Sequence, residues 1–197
     1  MTTAPDPTSL PRLTRAEHGR SAAPIRIIHL GIGNFTRAHQ AWYTEHAPDA
    51  AQWGIAGFTG RSRRMVDKLD PQGNVYTLIT SAPEGDSFEV ISSISSMHEG
   101  GDMEALRKYF VDPNVSIVTS TVTEAGYKRD AHGNLNVHDT DVSEDLAKLR
   151  NDVNASELST VPARIVAGLE ARRAAGADAI TILPCDNLAG NGAAFRR

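Results

Sequence analysis

Along this chain, short and mostly apolar runs alternate with longer stretches in which apolar residues recur every three or four positions. Ile25–Leu30 (IRIIHL) is a brief run rich in β-branched residues that ends at Gly31, which suits a strand buried in a parallel sheet. Residues 37–47 contain no glycine or proline before Pro48 and predict a helix. WGIAGF (53–58) predicts a second strand. Over 62–69, Met65, Val66 and Leu69 fall on one helical face. Residues 75–81 and 88–97 alternate as strands able to pair. The 102–110 segment predicts a helix with Met103, Leu106 and Phe110 on one side and Asp102 as its cap.

The second half continues the pattern. SIVTSTV (116–122) predicts a strand, 141–149 a short exposed helix, and 161–173 a helix with Val161, Ile165, Val166 and Leu169 on one stripe. Gly176 ends that helix, and 179–183 predicts a last strand stopped by Pro184. Strands separated by helices imply right-handed crossovers. The expected fold is therefore α/β: a Rossmann-type, mostly parallel sheet with helices on both faces and an antiparallel β extension. Residues 1–24, rich in Pro, Ser, Thr and Ala, are expected to be a flexible arm, and 25–197 one domain.

Composition narrows the function classes. A formal charge of −4 argues against a nucleic-acid binder driven by phosphate attraction. No apolar run approaches the ~20 residues of a membrane helix. The first 24 residues lack the apolar middle of a secretory signal. Cys185 is the only cysteine, which excludes an internal disulfide and suits a reducing cytoplasm. The seven histidines show no H-x-x-x-H or H-E-x-x-H spacing, so no metal site is expected.

The chemistry concentrates behind the first strand. In a dinucleotide-binding fold the first glycine permits a tight turn and the second lets backbone approach the pyrophosphate. The helix that follows offers free N–H groups to the phosphates. Gly31 and Gly33 stand at those places, and Asn34, Phe35, Thr36 and Arg37 would line the diphosphate. The third glycine of G-x-G-x-x-G is replaced by Thr36, whose hydroxyl would reach a phosphate oxygen or cap the helix. Phe35 is either part of that lining or a core anchor. The bare spacing fits a cofactor turn and a ligand-free turn equally. No acid lies between Ala51 and Ser62 to hold a ribose 2′-hydroxyl. Arg61, Arg63 and Arg64 occupy the region instead, as a 2′-phosphate contact or as a solvated helix face.

HLGIGNFTRAHQAWYT (29–44) resembles the opening signature of the long-chain mannitol dehydrogenase family. WGIAGF followed by NVYTLI (74–79), TVTEAGY (121–127) and CDNLAGNG (185–192) resemble its later segments in the same order. The resemblance implies a nicotinamide-dependent oxidoreductase, using NAD or NADP and no zinc, that interconverts a polyol or sugar-acid alcohol and its ketone. Its substrate would be a polyol or keto-sugar. It also implies a second, helical domain bearing a catalytic lysine in a K-x-x-x-x-N-x-x-H pattern. Lys68, Lys108, Lys128 and Lys148 all lack that pattern, so the chain is expected to be the cofactor half, inactive alone. The expected partners are itself or a catalytic domain.

By the same resemblance an asparagine after the last strand donates to the substrate oxygen: Asn191 is favoured, with Asn187 fixing the loop. Both, with Asp186, also suit plain turns. Thr121, Thr123 and Glu124 follow the 116–122 strand and are expected near the nicotinamide ribose, Glu124 as a proton relay or as a plain surface residue. Cys185 is expected to be a buried, inert thiol, and His39 to cap or pack the first helix. A dinucleotide-holding module without catalysis and a methyltransferase are the competing readings. The T-E-x-G-Y and C-D-N-L segments count against the latter.

Overall fold

Among the described residues of the computed structural model, 12–60 and 62–196, the strands are β1 (Ile25–Leu30), β2 (Gly54–Phe58), β3 (Tyr76–Ala82), β4 (Gly85–Ile91), β5 (Ile94–His98), β6 (Ile117–Ser120) and β7 (Thr181–Pro184). The helices are α1 (Arg15–His18), α2 (Asn34–Ala38), α3 (Gln40–Glu45), α4 (Arg64–Leu69), α5 (Met103–Val111), α6 (Thr140–Asn151), α7 (Val161–Ala174) and α8 (Asn191–Arg196). Five strands form one sheet in the order β5-β2-β1-β6-β7, every pairing parallel. Strand order reverses on either side of β1, which places a crevice between the carboxyl ends of β1 and β6.

Both faces of the sheet are covered. Ile28, Leu30, Phe58 and Val118 pack with Met103, Leu106 and Phe110 of α5 and Ile165 of α7 on one side. Ile55, Ile94 and Met97 pack with Ala41, Val66, Leu69 and Tyr76 on the other. Full burial of such aliphatic and aromatic side chains stabilises by about 1.5–3 kcal/mol each. The expected sheet with helices on both faces is what forms, and β3 pairs antiparallel with β4 as a separate hairpin.

Four expectations change. The helix expected over 37–47 begins earlier, at Asn34, and is split at His39 (φ −122°, ψ −82°). There the His39 ring stacks on Phe35 with centroids 4.2 Å apart, and its Nδ1 donates to Phe35 O at 2.8 Å. The single strand expected over 88–97 is two, in different sheets. Buried Ser92 donates its N–H to Glu45 Oε2 at 2.8 Å, and buried Ser93 donates its hydroxyl to Ala41 O at 2.6 Å, so α3 draws the chain from one sheet to the other.

The helix expected as exposed over 141–149, α6, buries Val142 and Asp145. On α7, Ile165 is buried as expected, but Val166 and Leu169 are 55% and 37% exposed. The inward face is instead made of small residues, Ala163, Ala167 and Gly168, because α5 crosses closely: a Cβ on Gly168 would lie 2.4 Å from the Phe110 ring.

The described part of residues 1–24, from residue 12, carries two well-partnered arginines. Arg15 donates to Gly73 O (2.7 Å), Arg20 O (2.8 Å), Ser92 O (3.0 Å) and Ile94 O (2.6 Å). Arg20 forms a two-pronged pair with Glu45 at 2.9 and 3.0 Å. Residues 1–11 lie outside the described residues.

Candidate dinucleotide site

The first turn of the site follows directly from backbone geometry. β1 ends at Leu30, and Gly31 adopts φ +92°, which an L side chain rarely takes. A Cβ there would lie 2.6 Å from Thr121 O. The amides of Gly31 and Ile32 both donate to Phe58 O, at 2.9 and 3.1 Å, so the chain leaves the sheet across the end of β2. Neither conformation nor packing demands glycine at Gly33 (φ −124°), since the nearest heavy atom to a Cβ there is Gly31 O at 3.7 Å; its missing side chain instead leaves the approach to the following amides open.

Helix α2 starts at Asn34 with no side-chain cap. Its first-turn N–H groups therefore have no intrahelical acceptor and face the opening that Gly33 leaves. Arg37 reaches back from the last turn and donates through Nη2 to Asn34 Oδ1 at 2.5 Å, adding a cation at the same mouth. Phe35 is 50% exposed, so it is no core anchor. Bare amides, an open approach and a nearby guanidinium fit a linked diphosphate.

Thr36 does something other than expected. It is fully buried, and its hydroxyl lies 2.7 Å from His29 Nε2 and 2.5 Å from Thr121 Oγ1. It therefore faces the sheet, not a phosphate. Thr121 likewise turns inward, donating to Gly31 O at 2.8 Å. His29 is fully buried, and burial pushes its imidazole down to about 3, so it is neutral. His29 stands inside the quoted signature, but no local pattern assigns it a role.

At the far end of β2, Arg61 lies outside the described residues. Arg63 pairs with Asp67 at 2.8 Å and with Glu99, and Arg64 is exposed on α4. The acid that β2 lacks thus arrives from the end of β5. Glu99 borders a cavity of about 460 Å³ shared with Thr59, Gly60, Arg63, Gly100 and Arg164. Sequence order alone could not bring residue 99 to residue 59.

At the opposite end of the crevice, Asp186 gathers the segments after β6 and β7. Its carboxylate accepts from Ser120 Oγ at 3.2 Å and, at short range, from the Val122 amide and the Tyr127 hydroxyl. Burial and the Asp186 carboxylate hold the Tyr127 hydroxyl above its ordinary range.

The two asparagines differ in use. Asn191 Nδ2 donates to Pro184 O and Asp186 O, both at 3.1 Å, and its Oδ1 accepts from the Gly192 amide at 2.7 Å. Asn191 is thus the residue that ties the loop, and Asn187 is exposed beside it. Thr123 and Glu124 are exposed at the start of a 3-10 turn over Glu124–Tyr127. Cys185 is half-buried rather than fully buried, and burial pushes its thiol up. Among the described residues, no group of three His, Cys, Asp or Glu side chains is placed to hold a metal, and no helix is long and apolar enough to cross a membrane.

A parallel sheet reversing at its first strand, with an uncapped helix at the reversal, defines a Rossmann-type α/β domain. The chain belongs to the mannitol dehydrogenase family: the family's profile for the "Mannitol dehydrogenase Rossmann domain" matches residues 25–197. It is 38% identical to a polyol:NADP oxidoreductase of Gluconobacter oxydans over 87% of this chain and 36% of that protein. It is 34% identical to the D-mannonate oxidoreductase of Escherichia coli over 98% of this chain and 40% of that protein.

Among solved structures, the Pseudomonas fluorescens mannitol 2-dehydrogenase complex with NAD and D-mannitol superposes with a TM-score of 0.76 at 35% identity. The match covers 93% of this chain and 37% of that one. The chain thus spans well under half the length of the relatives it matches.

Proposed function

We propose that this chain is the nicotinamide-dinucleotide-binding part of an oxidoreductase that interconverts a polyol or sugar-acid alcohol and its ketone. The observation that carries the reading is the open, uncapped start of α2 beyond Gly31 and Gly33, at the reversal of strand order. The similarity to a mannitol 2-dehydrogenase solved with NAD supports it. The amides of Gly33, Asn34 and Phe35, with Arg37, would hold the diphosphate. Thr59, Arg63 and Glu99 border the space for the adenosine ribose, and Arg61 belongs to the same segment. NAD and NADP both suit this region, where a carboxylate and arginines stand together.

The nicotinamide, when bound, supplies the hydride acceptor or donor. The chain's residues then orient it at the carboxyl ends of β6 and β7. Thr121 shapes the turn beside the ribose, and Thr123 and Glu124 are exposed at the edge of the crevice. In that position Glu124 passes protons between the crevice and water. Because the Asn191 amide already holds the loop, Asn187 presents the free donor to a substrate oxygen.

The lysine pattern implied by the resemblance is absent, so the chain alone binds cofactor weakly and turns nothing over. Val166 and Leu169, exposed on α7, border an apolar groove of about 500 Å³ with Ile182 and Pro184. Self-association or docking of a catalytic part would cover it. The lone thiol of Cys185 suits the cytoplasm.

Titration with NADH and NADPH, followed by melting temperature and nicotinamide fluorescence, tests the reading. A ligand that binds only the folded state at a hundred times its Kd stabilises it by about 2.7 kcal/mol. A rise with either nucleotide is expected, and no response to both overturns the reading. Measurable reduction of fructose or fructuronate by the purified chain would show that the proton-exchanging group lies within it.

A further inference from the structure

The turn at Gly31 is not held by glycine alone. His29 projects from the penultimate position of β1 and makes three contacts with hydroxyls: Nδ1 to Thr119 Oγ1 (2.7 Å), Nε2 to Thr36 Oγ1 (2.7 Å) and Nε2 to Thr121 Oγ1 (2.9 Å). Thr36 Oγ1 and Thr121 Oγ1 are 2.5 Å apart, and Thr121 Oγ1 is 2.8 Å from Gly31 O. The imidazole is neutral and carries one N–H.

Counting protons fixes where that N–H lies. Gly31 O can only accept, so the Thr121 hydroxyl donates to it. The 2.5 Å contact between the threonines then needs the Thr36 proton. With that proton used, Nε2 must be the donating nitrogen toward Thr36, and Nδ1 accepts from Thr119. A proton on Nδ1 instead would draw the Thr36 hydroxyl to Nε2 and leave the two threonine oxygens in contact with nothing between them. The chain therefore runs from Thr119 to His29 to Thr36 to Thr121 to the carbonyl of Gly31, with Thr121 Oγ1 also 2.9 Å from Nε2 and the Thr119 hydroxyl also 3.3 Å from Ile28 O. It links β6, β1, α2 and the turn itself.

We propose that His29, Thr36 and Thr121 form a positioning chain that fixes the Gly31 turn, and with it the start of α2, in the shape that receives a dinucleotide diphosphate. This rests on the dinucleotide reading above. In the usual fingerprint a third glycine lets helix and strand pack closely. Here the position of that glycine holds Thr36, and its hydroxyl joins helix to strand through His29. The three side chains contact one another and, through Thr121, the Gly31 carbonyl. They set the carbonyl of Gly31, and so the aim of the amides that follow it.

The test compares Thr36→Val, which keeps shape and removes the hydroxyl, with Thr36→Ser, which restores it. Each is titrated with NADH and NADPH well below its own melting temperature. The expected result is a dinucleotide Kd raised about tenfold or more in T36V and restored to within about threefold of native in T36S. A merely structural role would lower the T36V melting temperature but leave the Kd of the folded protein unchanged, and that result overturns the proposal. Thr121→Val, at a more exposed site, carries the same test if T36V does not fold. If the native chain binds neither nucleotide, the dinucleotide reading falls and this inference with it. Native binding with equal affinity in the valine variants removes this inference alone.

Discussion

The hydroxyl of Tyr127 donates to the carboxylate of Asp186, joining the T-E-x-G-Y segment after β6 to the C-D-N-L segment after β7. Two motifs 59 residues apart thus share one anion, which also accepts from Ser120 and the Val122 amide. The crevice wall is therefore one unit, and disturbing either motif disturbs both. Tyr127→Phe removes one donor to a charged acceptor and is expected to cost ~1.5–3 kcal/mol. Urea unfolding of Y127F, D186N and the double variant checks it: the two losses should fall short of additive.

The two glycines of the turn should separate in experiment. Gly31→Ala places a Cβ at φ +92° and 2.6 Å from a backbone oxygen, so it should destabilise by about 1–3 kcal/mol or more. Gly33→Ala meets no atom closer than 3.7 Å and should leave stability within about 0.5 kcal/mol. Its methyl would project into the approach to the amides, so dinucleotide Kd should still rise. Paired denaturation and titration curves for G31A and G33A distinguish the two effects.

His29 makes stability depend on pH in a stated window. In the unfolded chain its pKa is the ordinary 6.5, and in the fold burial lowers it to about 3. Between those values the unfolded state binds the extra proton, so stability falls as pH drops below 6.5 and is unaffected by this group above it. The slope approaches ~1.4 kcal/mol per pH unit. Unfolding free energies at pH 7.5, 6 and 5 for the native chain and His29→Gln should converge as pH falls.

Asp145, buried on α6, accepts from the amides of Ser159 and Thr160 and from the Thr160 hydroxyl, three of these contacts at 2.8–2.9 Å. Thr160 itself caps α7 through the Ala163 amide. Asp145→Ala strands those donors and should cost about 2–4 kcal/mol, read as a lowered urea midpoint.

The exposed apolar stripe of α7 should make the chain self-associate. Sedimentation of the native chain should show mass rising with concentration. Val166→Ser with Leu169→Ser should hold it at 21.2 kDa with little change in melting temperature.

What the sequence revealed follows the range of each interaction. Strand and helix periodicity is local, so the sheet, the turn at Gly31 and the Asp102 cap were legible; Asp102 Oδ1 accepts from the Ala105 amide at 3.0 Å. The break between β4 and β5 was not, because it depends on Glu45 and Ala41 in another helix. The inward face of α7 was not legible from apolar periodicity, because close contact with Phe110 demands a missing side chain at Gly168. Glu99 and His29 escaped because their partners are 36 and up to 92 residues away.

Arg15 carries a last consequence, one for synthesis. Its guanidinium docks on carbonyls as far along the chain as Ile94, so during synthesis it lacks these partners until those later residues have emerged. Until then the Arg15 side chain stays solvated. Anything that delays its arrival would leave the carbonyls of Gly73, Ser92 and Ile94 without that donor.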